Sequence, residues 1–205
     1  ELQDVTYAAE LGYRIKHLGI TRKTDKGIEL RVHPTLIPHR RLIANVDGVM
    51  NAVVVKGDAV GPTLYYGAGA GAEPTASAVV ADIVDVVRAL TSDPENRVPH
   101  LAFQPDALSD FPILEMDAVE TAYYLRLQVV DQPGVLAHVT RILGEAGISI
   151  EAIIQKEPVA DETDVPVIIL TQSIQEKYMN DAINQIQALD EVKKEVMRIR
   201  VECLQ

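Results

Sequence analysis

The chain has 205 residues, enough for one or two domains at roughly 100–200 residues each. Its 47% hydrophobic and 24% charged residues exclude a disordered polyelectrolyte, and no apolar run approaches the ~20 residues that span a bilayer. The formal net charge of −11, with no basic stripe, argues against a nucleic-acid partner.

The charge is unevenly spread. Acids and bases cancel over residues 1–92, whereas seven acids meet a single base over 93–120, and the rest of the excess falls in 121–205. This divides the chain into a first part (1–92), an acidic, proline-containing linker (93–120) and a second part (121–205). One cysteine excludes an internal disulfide framework and fits a reducing, cytoplasmic compartment. The first residue is not Met and no signal pattern follows it, so the natural start is expected elsewhere.

Residues 4–12 read as the end of a helix, with Asp4 as cap and Gly12 as the left-handed stop. Residues 13–22 and 28–36 read as a hairpin about a polar turn, limited by Pro34 and Pro38. His33 and His39 have no Cys, Asp or Glu close by in sequence to complete a metal set, so no metal site is expected. Asn45 and Asn51 read as turn residues that bond the backbone. Residues 49–57 and 60–66 are two more strands, the first of them valine-rich and expected to be buried.

A Gly/Ala run over 67–72 then leads into a helix that carries Pro74 in its first turn. Val79, Ile83, Val86, Val87 and Leu90 fall on one helical face, predicted to be buried, with Asp82, Asp85 and Arg88 on the wet side. Where a glycine-bearing turn feeds a helix, open backbone amides can receive phosphate or a polar ring amide; plain tight packing is the competing reading. The run satisfies G-x-G-x-x-A, but the second strand and acid of a dinucleotide-binding βαβ unit do not follow, so it is not the primary pyrophosphate site.

In the second part, residues 122–130 form a strand, and Asp131-Gln132-Pro133-Gly134-Val135-Leu136 leads into a helix that ends at Gly147. Strands follow at 148–156 and 165–172, then a helix at 175–189 and a strand at 196–203 that places Cys203 in the core as an inert small hydrophobe. Strand, helix, strand, strand, helix, strand closes into a four-stranded antiparallel sheet with both helices on one face. The other face must be covered or polar, and an open edge strand invites a second copy. At 131–136 the amides of Gly134, Val135 and Leu136 are expected to be open. An amino acid's carboxylate would meet them while its ammonium meets Asp131; alternatively Asp131 simply caps the helix.

The segments RVHPTLIP (31–38), NVDGVMNAVVVKGDAVG (45–61) and YGAGAGAEPTASAVVADIVD (66–85) resemble the carboxyl-terminal part of the catalytic region of bacterial homoserine dehydrogenase. That resemblance implies an α+β chain: a partial mixed-sheet substrate and dimerisation domain, then a ferredoxin-like βαββαβ domain. It implies oxidation of L-homoserine to L-aspartate 4-semialdehyde with NAD or NADP in threonine, methionine and isoleucine biosynthesis. It makes Gly67, Gly69 and Gly71 cofactor contacts. The catalytic lysine, the substrate acids and the dinucleotide domain of that family have no counterpart in these residues. No catalytic residue is expected here, and the segment alone is expected to be inactive.

Residues 121–203 resemble an ACT domain, whose D-x-P-G-V-L motif begins at Asp131. The resemblance implies a dimer or tetramer and an amino-acid effector, L-threonine, with Asp131, Gly134, Val135, Leu136 and Ser149 as effector contacts. The alternative is a stand-alone amino-acid-binding or oligomerisation module without chemistry.

Overall fold

The computed structural model describes residues 1–93, 102–157 and 164–204. The chain divides into two compact units, one of Glu1–Ala44 with Phe111–Gln205 and one of Asn45–Asp110.

In the first unit, helix α1 (Leu2–Glu10) closes at Leu11, and Gly12 follows with φ +80°, as its position predicted. Asp4 does not cap the helix. It lies inside α1 and is 1% exposed, because a buried arginine claims its carboxylate. Strands β1 (Tyr13–Lys23) and β2 (Ile28–Pro38) pair antiparallel as the expected hairpin, but Pro34 and Pro38 do not limit it: the register runs on through His17 opposite Pro34 to Tyr13 opposite Pro38.

The unit continues with β5 (Glu120–Val130), α3 (Val135–Glu145), β6 (Ile150–Gln155), β7 (Asp164–Thr171), β8 (Ile174–Gln175), α4 (Glu176–Gln187) and β9 (Met197–Val201), numbered to leave β3 and β4 for the second unit. Four strands stand in the order β9-β5-β7-β6 and every neighbouring pair is antiparallel, the predicted ferredoxin-like arrangement. Period-2 alternation sorts β5 between two cores. Tyr123, Leu125, Leu127 and Val129 face α3 and α4, packing on Val139, Leu143, Met179 and Ile186. Tyr124 faces the other way, into a core with Ala8 of α1, Leu36 of β2, Ile168, Leu170 and Val201. The second face of the sheet is thus covered by α1 and the hairpin.

The hairpin also joins the sheet. β2 pairs parallel with β9, Thr35 opposite Arg200 and Leu36 opposite Val201, giving a mixed sheet in the order β1-β2-β9-β5-β7-β6. Residues 112–114 lie alongside the start of β2, with Ile28 N–H donating to the Pro112 carbonyl and Leu114 N–H to that of Ile28.

The end of β9 departs from expectation. The strand stops at Val201, and the Glu202 side chain turns inward to Arg22 and Arg31. Alternation therefore ends, and Cys203 is exposed rather than in the core.

In the second unit, β3 (Met50–Gly57) and β4 (Gly61–Ala68) form an antiparallel hairpin, and α2 runs over Ala72–Thr91. The predicted buried face of α2 is not buried: Val79 is 53%, Ile83 57% and Leu90 69% exposed, with Val86 and Val87 alike. The valines of β3 are exposed as well, against expectation. The pattern on the helix is real, but no described element of the unit packs against it. In the linker, Phe103, Leu108, Phe111 and Ile113 also remain exposed, while Val98 and Leu101 lie outside the described residues.

Candidate functional site

Two glycine-bearing turns feed helices, one in each unit. In the second unit, β4 delivers Gly67 opposite Asn51, and Gly71 is the N-cap of α2. The three glycines differ in their surroundings. Gly71 has φ +131°, which a side chain resists. At Gly69 a Cβ would run into Asn51 Nδ2 and Cγ, so that side chain would have to turn aside. At Gly67 a Cβ would meet nothing within 4 Å, so no neighbour among the described residues demands a glycine there. No side chain caps α2. Thr75 N–H already donates to the Gly71 carbonyl, Pro74 has no N–H, and the amides of Ala72 and Glu73 have no acceptor among the described residues. The turn therefore offers a backbone surface with only small side chains of its own, two open donors and the positive end of a twenty-residue helix. That surface fits a polar amide or a phosphate oxygen.

In the first unit, β5 ends at Val130, and Gly134, at φ +97°, is the N-cap of α3. No side chain caps this helix, so Asp131 is not a capping residue. Asp131 is exposed, and its Oδ1 accepts from Gln155 Nε2 at 3.2 Å. Gln155 closes β6, and the sequence reading did not single it out; its place on the far strand gave no local signal. The expected trio of open amides is reduced. Val135 N–H donates to the Gln132 carbonyl at 3.4 Å, closing a turn, and the Val135 side chain is in the core. Gly134 and Leu136 keep amides without an acceptor among the described residues, and so does Ala137.

Ser149 is not beside this turn within the chain. β5 and β6 both run antiparallel to β7, hence parallel to each other, so the turn stands at the end where β6 finishes and Ser149 at the end where it starts. Six residues of extended chain separate Ser149 from Gln155, about 20 Å at ~3.3 Å per residue. Ser149 is exposed, and its carbonyl accepts from Gln172 N–H.

Three buried clusters tie the sheet to the elements around it. Asp4 accepts from Arg126 Nε at 2.7 Å and from the Tyr124 hydroxyl at 3.0 Å. Glu202 accepts from Arg31 and Arg22, which also reach Glu29. Glu176 accepts from Arg200 and from the Tyr123 hydroxyl. These acids are each spoken for by an arginine, which marks them as structural. Among the described residues no three His, Cys, Asp or Glu side chains gather as a metal set, and no described helix is long and apolar enough to cross a membrane.

Comparison with known proteins agrees with this geometry. Residues 123–193 match the ACT-domain family model, so the βαββαβ half is an ACT domain. Residues 1–84 match the family model of homoserine dehydrogenase, so this stretch is similar to that family. The homoserine dehydrogenase of Pseudomonas aeruginosa is 68% identical over 201 residues, a match covering 98% of this chain and 46% of that protein. That of Neisseria gonorrhoeae is 59% identical, covering 98% of this chain and 46% of its own length. The crystal structure of the Thiobacillus denitrificans homoserine dehydrogenase superposes with a TM-score of 0.90 at 67% identity, covering 99% of this chain and 46% of that one. The Staphylococcus aureus homoserine dehydrogenase superposes at 0.60 with 25% identity, covering 98% and 45%. The chain thus spans about half the length of the relatives it matches.

Proposed function

We propose that these residues are the substrate-side and regulatory portion of an enzyme that oxidises L-homoserine to L-aspartate 4-semialdehyde with NAD or NADP, or runs the reverse reaction. The functional division we assign is 1–92 for the catalytic part, 93–120 for the linker and 121–205 for the ACT domain. The single cysteine and the biosynthetic reaction fit a cytoplasmic enzyme. The observation that carries the catalytic reading is the stretch that leads from Gly67, whose missing side chain no described residue crowds, to the open amides of Ala72 and Glu73. On this reading Gly67, Gly69 and Gly71 hold the nicotinamide end of the dinucleotide. The dinucleotide, when bound, accepts or returns the hydride; the chain's own part is to orient the ring and keep side chains out of its path.

The second turn is the effector site, for L-threonine. Asp131, aligned by Gln155, meets the ammonium, and the free amides at the start of α3 meet the carboxylate. Ser149 joins from a second copy. β6 is an open sheet edge with Ile153 exposed at its middle. Antiparallel pairing of two β6 strands about a two-fold axis there carries each copy's Ser149 to the other's turn.

The test uses the full-length polypeptide. L-Homoserine reduces NAD+ or NADP+, L-threonine inhibits that reaction, and Asp131→Ala relieves the inhibition while leaving turnover without threonine intact. Absence of homoserine-dependent nucleotide reduction would discard the catalytic reading. Calorimetry without heat at millimolar L-threonine, on the intact oligomer, would discard the effector reading.

A further inference from the structure

Gly69 has a φ that any residue adopts, yet it cannot carry a side chain while Asn51 stays where it is. The Asn51 Nδ2 stands closest, its Cγ 2.9 Å and its Cβ 3.5 Å from where a Cβ of residue 69 would lie. Real Cβ atoms do not tolerate the first two contacts and accept the third. The placement follows from the hairpin register. Asn51 is opposite Gly67 on the paired strands, and Gly69 is two residues further along the same side, the diagonal neighbour that a side chain can reach. Asn51 is further anchored by a bond from Nδ2 to the Val49 carbonyl at 3.3 Å. It is not a core residue, so core packing does not account for its seat against the turn.

We propose that Asn51 is a positioning residue for the β4–α2 turn: its carboxamide fills the notch left by the missing Gly69 side chain and holds the turn's backbone in the shape that receives the nicotinamide end of the dinucleotide. The inference rests on the cofactor reading given above. Gly69 is then a glycine on Asn51's account, while Gly71 is one on the backbone's account. The two residues should behave as one unit in binding, and removing Asn51 should remove the reason for Gly69.

The test is a double-mutant cycle in the full-length polypeptide, read by the Kd of NADH and NADPH from nicotinamide fluorescence, with the KM for nucleotide and kcat measured alongside and thermal melts to check folding. Asn51→Ala is expected to weaken nucleotide binding several-fold with little change in KM for L-homoserine. Gly69→Ala in the presence of Asn51 is expected to weaken it about tenfold, within the coupling seen for residues in contact. Asn51→Ala/Gly69→Ala is expected to bind no worse than Asn51→Ala alone, because the two Cβ atoms then sit at an ordinary distance. Multiplicative losses in the double variant, or an unchanged Kd in Asn51→Ala with an altered melting temperature, would overturn the proposal. If Gly69→Ala does not fold, the Kd of Asn51→Ala decides by itself. Gly67→Val serves as control. If it weakens nucleotide binding while the 51/69 pair does not, the cofactor reading stands and the role of Asn51 falls; if none of the variants changes Kd, both fall.

Discussion

His33 shows how a single side chain can be held in one protonation state by its neighbours. A guanidinium has no acceptor, so in the 3.3 Å contact between Arg31 Nη1 and His33 Nε2 the ring nitrogen accepts. The hydrogen therefore sits on Nδ1, which donates to the Pro34 carbonyl at 3.1 Å and stands 3.0 Å from Thr35 Oγ1. A proton added at Nε2 would face Arg31. Burial first, then Arg200 and Arg31, hold the pKa below the ordinary 6.5, against the Pro34 carbonyl and Glu202, which pull it up. The unfolded chain takes up a proton near its ordinary pKa while the folded chain resists until lower pH. Stability is thus unaffected well above pH 6.5, begins to fall as pH drops through about 6.5, and the loss is complete below the folded pKa. His33→Gln is expected to flatten the change in melting temperature between about pH 7 and 5 relative to the parent chain. An unchanged pH profile in the variant would show that the ring is not held neutral.

At the scale of elements, α1 is fastened to the sheet by charge as well as by packing. Asp4 and Arg126 are 1% and 3% exposed. Burial alone would raise the Asp4 pKa, but Arg126, the Glu1 amino group and the Tyr124 hydroxyl outweigh it and hold the carboxyl below its usual range. Removing Asp4 leaves the buried Arg126 with only the exposed Glu1 carboxylate among the described residues, 3.0 Å from its Nη2. Asp4→Ala is expected to cost about 3–5 kcal/mol in urea unfolding, and Asp4→Ala/Arg126→Met to recover much of that loss. A loss under about 1 kcal/mol would mean that water replaces the pair.

This contact also marks where the sequence stopped being informative. Asp4 before an apolar run reads as a cap because local signals speak only of neighbours in the chain, and its true partner is on β5. The strands and helices of the ACT half were legible because hydrophobic period and glycine stops are local. The parallel pairing of β2 with β9, the bulge that shifts the β6 register between Ile150 and Ala152, and the inward turn of Glu202 depend on elements far apart in sequence. The two turns were legible as candidate sites from their glycines. Gln155 beside Asp131 and Asn51 beside Gly69 were not, since each arrives from another strand.

For the molecule as a whole, the second unit carries more apolar surface than a soluble monomer usually shows. Val79, Val80, Ile83, Val86, Val87 and Leu90 make one face of α2 apolar and exposed, and Val53, Val55, Tyr65 and Tyr66 add exposed apolar side chains on the hairpin. Prepared as these 205 residues alone, the protein is expected to bind an apolar dye and to self-associate with rising concentration. Ile83→Asp/Val87→Asp should lower both responses in fluorescence and sedimentation without lowering the melting temperature of the ACT half. Dye binding that survives the substitutions would place the sticky surface elsewhere.

The parallel seam between β2 and β9 bears on how this ACT domain could be moved between proteins. A gene segment cut at the start of β5 would arrive with the outer backbone of Arg200–Val201 bare, Glu202 deprived of both its arginines, and one side of the sheet stripped of α1. The transplantable piece is discontinuous: an engineer who wanted to graft this domain onto another protein would have to carry the helix and hairpin along and find a host willing to be spliced between them.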